Sequence, residues 1–259
     1  MNTVLALTGV VIKELYRRKD FYVLFVLTAL ITLTLGSVSF FHDPKIVRYL
    51  KDICLLLIWI SSLVIAITTA ARQIPAEREN RTIFPLLAKP VTRGQLIVGK
   101  FTGCWLACGF TLLVFYVFFT LVSGTREQSW HLEAILKMAW LHWVMLGVVV
   151  AMVLFGSIVF SAASSNVTIS FVVVIGILGL GRYLHRVALQ QREPVDTILS
   201  VIYFAIPHLE WYDVRDFVVY DRHLASVTDC GLATLYGAAY MAFFMCAAWV
   251  LFRRKTLTV

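Results

Sequence analysis

The chain has 259 residues, of which 60% are hydrophobic and 15% charged, with a formal net charge of +8 and a mean hydropathy of +0.83. A soluble domain of this length has no interior large enough for so much apolar surface, so the bilayer is the solvent that fits. The positive charge is then read from its placement in loops, and it does not call for a nucleic-acid partner.

In residues 2–19, Val4, Leu7, Val11 and Leu15 recur at helical spacing, with Lys13, Glu14 and Arg17 off that stripe. This predicts an amphipathic helix on the inner membrane surface, with a frayed basic anchor as the alternative. An apolar run over 21–41 follows Lys13, Arg17, Arg18 and Lys19. It is too long for the core of a signal peptide, and more apolar runs follow, so it reads as a retained first span. Five further runs, at 53–71, 96–122, 135–163, 167–184 and 230–252, approach or exceed the roughly 20 residues needed to cross the hydrocarbon. The fifth loses its uncharged stretch at Gly181, just before Arg182. It reads either as a complete span or as a half-span that turns back. The expectation is one all-α integral membrane domain over 1–259 with six transmembrane helices.

An even number of spans puts both termini on one side, and charge says which. Segments 1–20, 72–100 and the tail after Phe252 hold thirteen Lys/Arg against four acids, whereas loops 42–52 and 123–134 hold only four Lys/Arg. That bias places both termini in the cytoplasm. Segment 182–229 is then the long extracytoplasmic region, where one or two short helices are expected to lie on the outer surface. Trp211, Tyr212 and Phe217 suit the headgroup level.

The central parts of the six runs contain no Asp, Glu, Lys or Arg; Lys137 and His142 sit toward the outer end of the fourth. Ion-coupled carriers and channels with charged filters need such groups, so these classes are disfavoured. No H-E-x-x-H and no G-x-S-x-G occurs, which removes the usual signatures of hydrolysis. Ser61, Ser62, Ser157 and Ser161 read as helix-packing residues, as do Gly99 and Gly103 in G-x-x-x-G. Cys54, Cys104, Cys108, Cys230 and Cys246 read as small apolar packing residues rather than a metal set. His42, His131, His142, His185, His208 and His223 read as interfacial or internally satisfied, with copper or zinc binding as the alternative.

Residues 94–101, GQLIVGKF, fill the first seven places of the phosphate-binding loop G-x-x-x-x-G-K-[ST]. Phe101 stands where that loop needs a hydroxyl for magnesium, and the stretch runs straight into an apolar span. It therefore reads as the start of the third span, with Lys100 as a positive anchor at the inner surface. The loop before it, 72–100, combines dense mixed charge at Glu77, Arg78, Glu79 and Arg81 with an apolar stretch at 83–87. Pro75 suits a first helical turn, and Glu77 and Glu79 complement the helix dipole there. A short helix near the membrane is expected, with a solvated loop as the alternative.

This loop resembles the segment after the second span of ABC-2-type transporter permeases, E-x-E-x-x-T-x-x-x-L-L-x-x-P-x-x-R leading into G-K. Glu77, Glu79, Thr82, Leu86, Leu87, Pro90, Arg93, Gly99 and Lys100 match in order. Arg81 stands where a glycine is frequent, and Pro85 is a second departure. Within the family, the chain is most similar to permeases grouped with multicopper-enzyme maturation, including the partner permease of nitrous oxide reductase assembly. The resemblance implies a permease without catalytic, cofactor-binding or metal-binding residues of its own. ATP and magnesium would sit on a separate ABC ATPase subunit.

It also implies a second permease copy, as a homodimer in preference to a heterodimer, in the cytoplasmic membrane of a bacterium or archaeon. A coupling helix in loop 72–95 would meet the ATPase through Glu77, Arg78, Glu79, Asn80, Arg81 and Thr82. The short inner turn at 164–166 would add little. A periplasmic partner would meet 182–229. Cargo transport and purely mechanical signalling both remain open. The competing reading is a membrane scaffold that anchors partners through its extracytoplasmic region.

Overall fold

The computed structural model describes residues 2–17, 19–37, 44–79, 92–127, 132–188, 201, 203, 206–215 and 226–254. Among them the protein is all-helical and has no strand. Helix α1 is Asn2–Arg17, α2 Lys19–Ser37, α3 Pro44–Arg72, α4 the five-residue Pro75–Glu79, and α5 Arg93–Glu127. Then come α6 (Leu132–Val159), α7 (Ala163–Ala188), a 3-10 turn at Leu209–Tyr212, and α8 (Val227–Arg254).

Among the described residues, four segments are long and apolar enough to cross a membrane: Lys51–Glu79, Arg93–Gly124, Leu132–Val159 and Val227–Arg254. The first and fifth expected spans fall on α2 and α7. Helix α7 continues without a break through Gly181 and Arg182, so it does not turn back there.

The centre of the bundle is α6. Every residue from 144 to 151 is buried, which is the signature of a helix surrounded by other helices. It packs against α3, α5, α7 and α8. Two tryptophans clasp α5 to α6: Trp105 Nε1 donates to Trp143 O at 3.0 Å, and Trp143 Nε1 donates to Trp105 O at 3.1 Å. Their rings stack at 4.6 Å. Both indole N–H groups are thereby satisfied inside an apolar medium, where an orphaned donor is costly. Helix α2 lies at the rim. Val23, Val26, Leu27, Leu30 and Leu33 are exposed, while Phe25 meets Phe115 and Thr28 Oγ1 pairs with Ser61 Oγ at 3.1 Å.

The ends of α3, α6 and α7 are joined by one buried side chain. Asn166 is fully buried, and its Nδ2 donates to Ala71 O and Val153 O, both at 3.2 Å. Residues 164–166 are not the inner turn expected there but the first turn of α7, with the non-helical link at 160–162, and Asn166 is consumed in holding three helices together.

Candidate functional site

Several independent fastenings meet at the end of the bundle where α3 ends, α5 begins and α8 ends. Thr92 and Gln95 start α5 with a capping box: Gln95 N donates to Thr92 Oγ1 at 3.2 Å, and Thr92 N donates to Gln95 Oε1 at 3.0 Å. The T-x-x-Q spacing carries this signal in the sequence. One residue on, Arg93 Nη1 donates to Phe252 O at 2.7 Å and Arg253 O at 3.1 Å, and its guanidinium lies over the Phe252 ring. Arg93 thus satisfies terminal carbonyls of α8 and complements the negative end of that helix.

Helix α1 docks on the first turns of α5. A Cβ placed on Gly99 would stand 2.8 Å from Leu7 Cβ, and one on Gly103 would stand 2.7 Å from Val11 Cβ. The two helices therefore approach as closely as the glycines allow, the use expected of G-x-x-x-G. Thr8 adds polar contacts, with its Oγ1 2.9 Å from Thr102 Oγ1 and donating to Gly99 O at 3.3 Å. Of the predicted α1 stripe, Leu7 and Val11 are buried and Val4 is half-buried; the Leu15 side chain lies outside the described residues. Lys13, Glu14 and Arg17 are exposed, but so are Leu5, Val10 and Ile12.

Between these fastenings sits α4. Pro75 occupies its first position, as expected, and is buried. Glu77 turns inward, with Oε1 2.5 Å from Lys100 Nζ. The Lys100 side chain is 4% exposed and that of Glu77 15%. Lys100 is therefore not a surface anchor: it is the buried partner of a carboxylate 23 residues earlier in the chain, a pairing that spacing does not announce. Arg78 is half-buried and Glu79 exposed. Asn80, Arg81 and Thr82 lie outside the described residues, as do Leu86, Leu87 and Pro90.

A second polar site lies inside the bundle. His142 is ten residues, about 15 Å, into α6 and is 3% exposed. Its Nε2 is 2.9 Å from Ser62 Oγ, and its Nδ1 is 3.2 Å from Tyr116 Oη. Ser62 Oγ itself donates to Trp59 O at 2.9 Å. With the Ser62 proton given to that carbonyl, Nε2 carries the hydrogen and Nδ1 accepts from Tyr116. A serine nucleophile needs the opposite arrangement, with its proton offered to the imidazole. A fluorophosphonate probe is accordingly expected to leave Ser62 unlabelled, as read by mass spectrometry of the intact protein. Stoichiometric labelling of Ser62 would refute this assignment.

At the opposite end, the 206–215 segment packs into the bundle. Tyr212 is buried, and its hydroxyl donates to Ala233 O at 2.7 Å. It lies beside Gly237, where a Cβ would stand 2.8 Å from Tyr212 Oη. Burial pushes the Tyr212 phenol up to about 12, which keeps the proton that this bond needs. The expected headgroup position for Tyr212 is thereby corrected, whereas Trp211 is 54% exposed. Phe217 lies outside the described residues. Arg215 forms a two-bond pair with Asp213 at 2.7 and 2.9 Å and covers the Trp59 ring. Among the described residues, no three His, Cys, Asp or Glu side chains gather as a metal set. Of the histidines, His142 is internally satisfied and His208 is buried. His42, His131 and His223 and the His185 side chain lie outside the described residues.

A comparison with curated proteins finds no match. The family described as ABC-2 family transporter protein matches residues 53–256, a stretch running from the body of α3 past the end of α8. With its apolar helices and that match over most of its length, the chain is a multi-pass membrane protein that belongs to the ABC-2 transporter family, as a transmembrane subunit of an ABC transporter.

Proposed function

We propose that this chain couples ATP hydrolysis on a separate ABC ATPase subunit to export, or to a mechanical signal, across a bacterial or archaeal cytoplasmic membrane. Helix α4 and the residues just after it are the receiving element, with Glu77, Arg78, Glu79, Asn80, Arg81 and Thr82 as the contact set. ATP and magnesium belong to the partner, and a second copy of this chain completes the permease. The observation that carries the reading is the buried Glu77–Lys100 pair. It ties a short charged helix to the first turns of a long apolar one, so a displacement of α4 is passed on to α5 rather than absorbed by a slack loop.

In this reading Glu77 is the inward half of the element, while Arg78 and Glu79 are its outward half. Six spans are supported by the lengths of α2 and α7, which at 19 and 26 residues extend about 29 and 39 Å. Both termini face the cytoplasm on the loop charges, and a periplasmic partner would meet 182–229. The likeness to the multicopper-enzyme-maturation permeases is part of the same proposal.

The test is Glu79→Lys in the full chain, co-expressed with the ATPase subunit. Because Glu79 is exposed, folding should be unchanged, while recovery of the complex should fall at least tenfold. Complex formation and ATP-driven activity at the unsubstituted level would show that the contact set is wrong.

A further inference from the structure

Between α7 and the segment carrying Tyr203 and Pro207 lies a cavity of about 260 Å³. Its walls are apolar: Val173, Ile177, Ile206 and Pro207, with Gly176 on the α7 side. Two titratable side chains beside Tyr203 line it as well, His208 and Glu210. His208 is 6% exposed, and its Nδ1 is held 2.8 Å from Tyr236 Oη. Its other ring nitrogen, Nε2, has no hydrogen-bond partner among the described residues, and neither has Glu210 Oε2. Leaving a buried polar atom unpaired is costly, and two on one cavity mark a place where a ligand supplies the missing partners.

The chemistry of the walls restricts that ligand. A carboxylate repels anions and seeks donors. Burial holds the His208 imidazole below its ordinary value, so at neutral pH it adds a neutral group rather than a cation that would satisfy Glu210. A protonated amine matches this pair, since it brings positive charge and three donors. Tyr203 lines the same cavity, and an aromatic face favours a cation. The remaining wall asks for hydrocarbon. At about 260 Å³ the space is at the small end of ligand pockets, which run from roughly 300 to 1,000 Å³. That is the size of a single-chain amine and far below a two-chain phospholipid. Val172 and Ile175 on the neighbouring faces of α7 are exposed, which gives an apolar approach from the side.

We propose that this cavity binds a small amphiphilic amine, with its ammonium held by Glu210 and His208 and its alkyl body along α7. This deepens the transporter reading by naming a ligand class, but it concerns binding alone. Its test uses neither nucleotide nor ATPase, so its failure leaves the transporter reading intact.

The experiment is equilibrium binding of radiolabelled n-octylamine to the full chain in nanodiscs of phosphatidylcholine and phosphatidylglycerol, with n-octanol and octanoate in parallel. Octylamine should bind saturably, one per chain, while the other two only partition into lipid. Glu210→Gln should weaken octylamine at least tenfold. Gly176→Leu should abolish its binding by filling the cavity. A side chain begun there meets nothing within 4 Å, so this variant should retain its fold. A further arm adds phosphatidylethanolamine, which carries the same ammonium on a lipid. Saturable displacement of octylamine would identify the headgroup as the natural source, and undiminished binding would identify a free amine. Equal behaviour of the three probes, or octylamine binding unchanged in both variants, would overturn the proposal and leave the cavity to water.

Discussion

Replacing Lys100 by methionine should destabilise the protein by about 3 kcal/mol and abolish ATP-driven activity in the assembled transporter. Methionine keeps the length and apolar stem of lysine, so it removes the cation and little else. What it leaves is a carboxylate, Glu77, whose side chain is 15% exposed. Removing one partner of a buried ion pair is expensive because the remaining charge stays desolvated, typically by about 3–5 kcal/mol. Glu77 has other contacts as well, which puts the expectation at the low end. The check is a thermal unfolding midpoint in one detergent, together with turnover of the reconstituted complex. A purely structural pair and a transmitting pair differ in the rescue. Glu77→Gln in the Lys100→Met background removes the stranded charge and should restore most of the stability. It should not restore activity, because α4 is then no longer tied to α5. A variant that regained both would make the pair a stabilising contact only, and an unchanged Lys100→Met protein would remove its role altogether.

The same residue shows what the sequence can and cannot disclose. Four long apolar helices, the short helix at Pro75 and the packing use of Gly99 and Gly103 follow from composition and local spacing. These are properties of a few consecutive residues and need no knowledge of neighbours. Which helix is central does not follow. In lipid, the outward face of α2, with exposed Val23 and Leu30, is as apolar as the buried face of α6, so hydrophobic periodicity loses its meaning. Polar partners are equally hidden. Glu77 and Lys100, Thr28 and Ser61, and His142 with Ser62 and Tyr116 are all brought together by helix packing rather than by spacing. Tyr212 illustrates the remaining gap. An aromatic residue with a hydroxyl in a mixed loop has the composition of an interfacial residue, whereas the carbonyl of Ala233 and the room left by the missing side chain at Gly237 accommodate it inside.

Gly103→Leu should release α1 from the bundle. A Cβ at position 103 would lie 2.7 Å from Val11 Cβ and 3.2 Å from Thr8 Cα. Neither is the free end of a flexible side chain, so the two helices must separate, and overpacking of this kind costs about 1–3 kcal/mol. Hydrogen exchange reads the outcome directly: amides of α1 should exchange at least tenfold faster in the variant, while those of α6 stay protected. Gly103→Ala should show a smaller change in the same direction. Unaltered exchange in α1 would mean that the helix is held by something other than this seam. The prediction also separates two meanings of one glycine. Gly99 completes the spacing of a nucleotide loop with Gly94 and Lys100, and it completes a packing seam with Gly103. In the folded chain its carbonyl accepts from Thr8 and its missing side chain makes room for Leu7. The Lys100 next to it is turned toward Glu77 rather than toward any phosphate. The residues that imitate a nucleotide site instead fasten α1 and α4 to one helix, which is where a push delivered at α4 would have to be received.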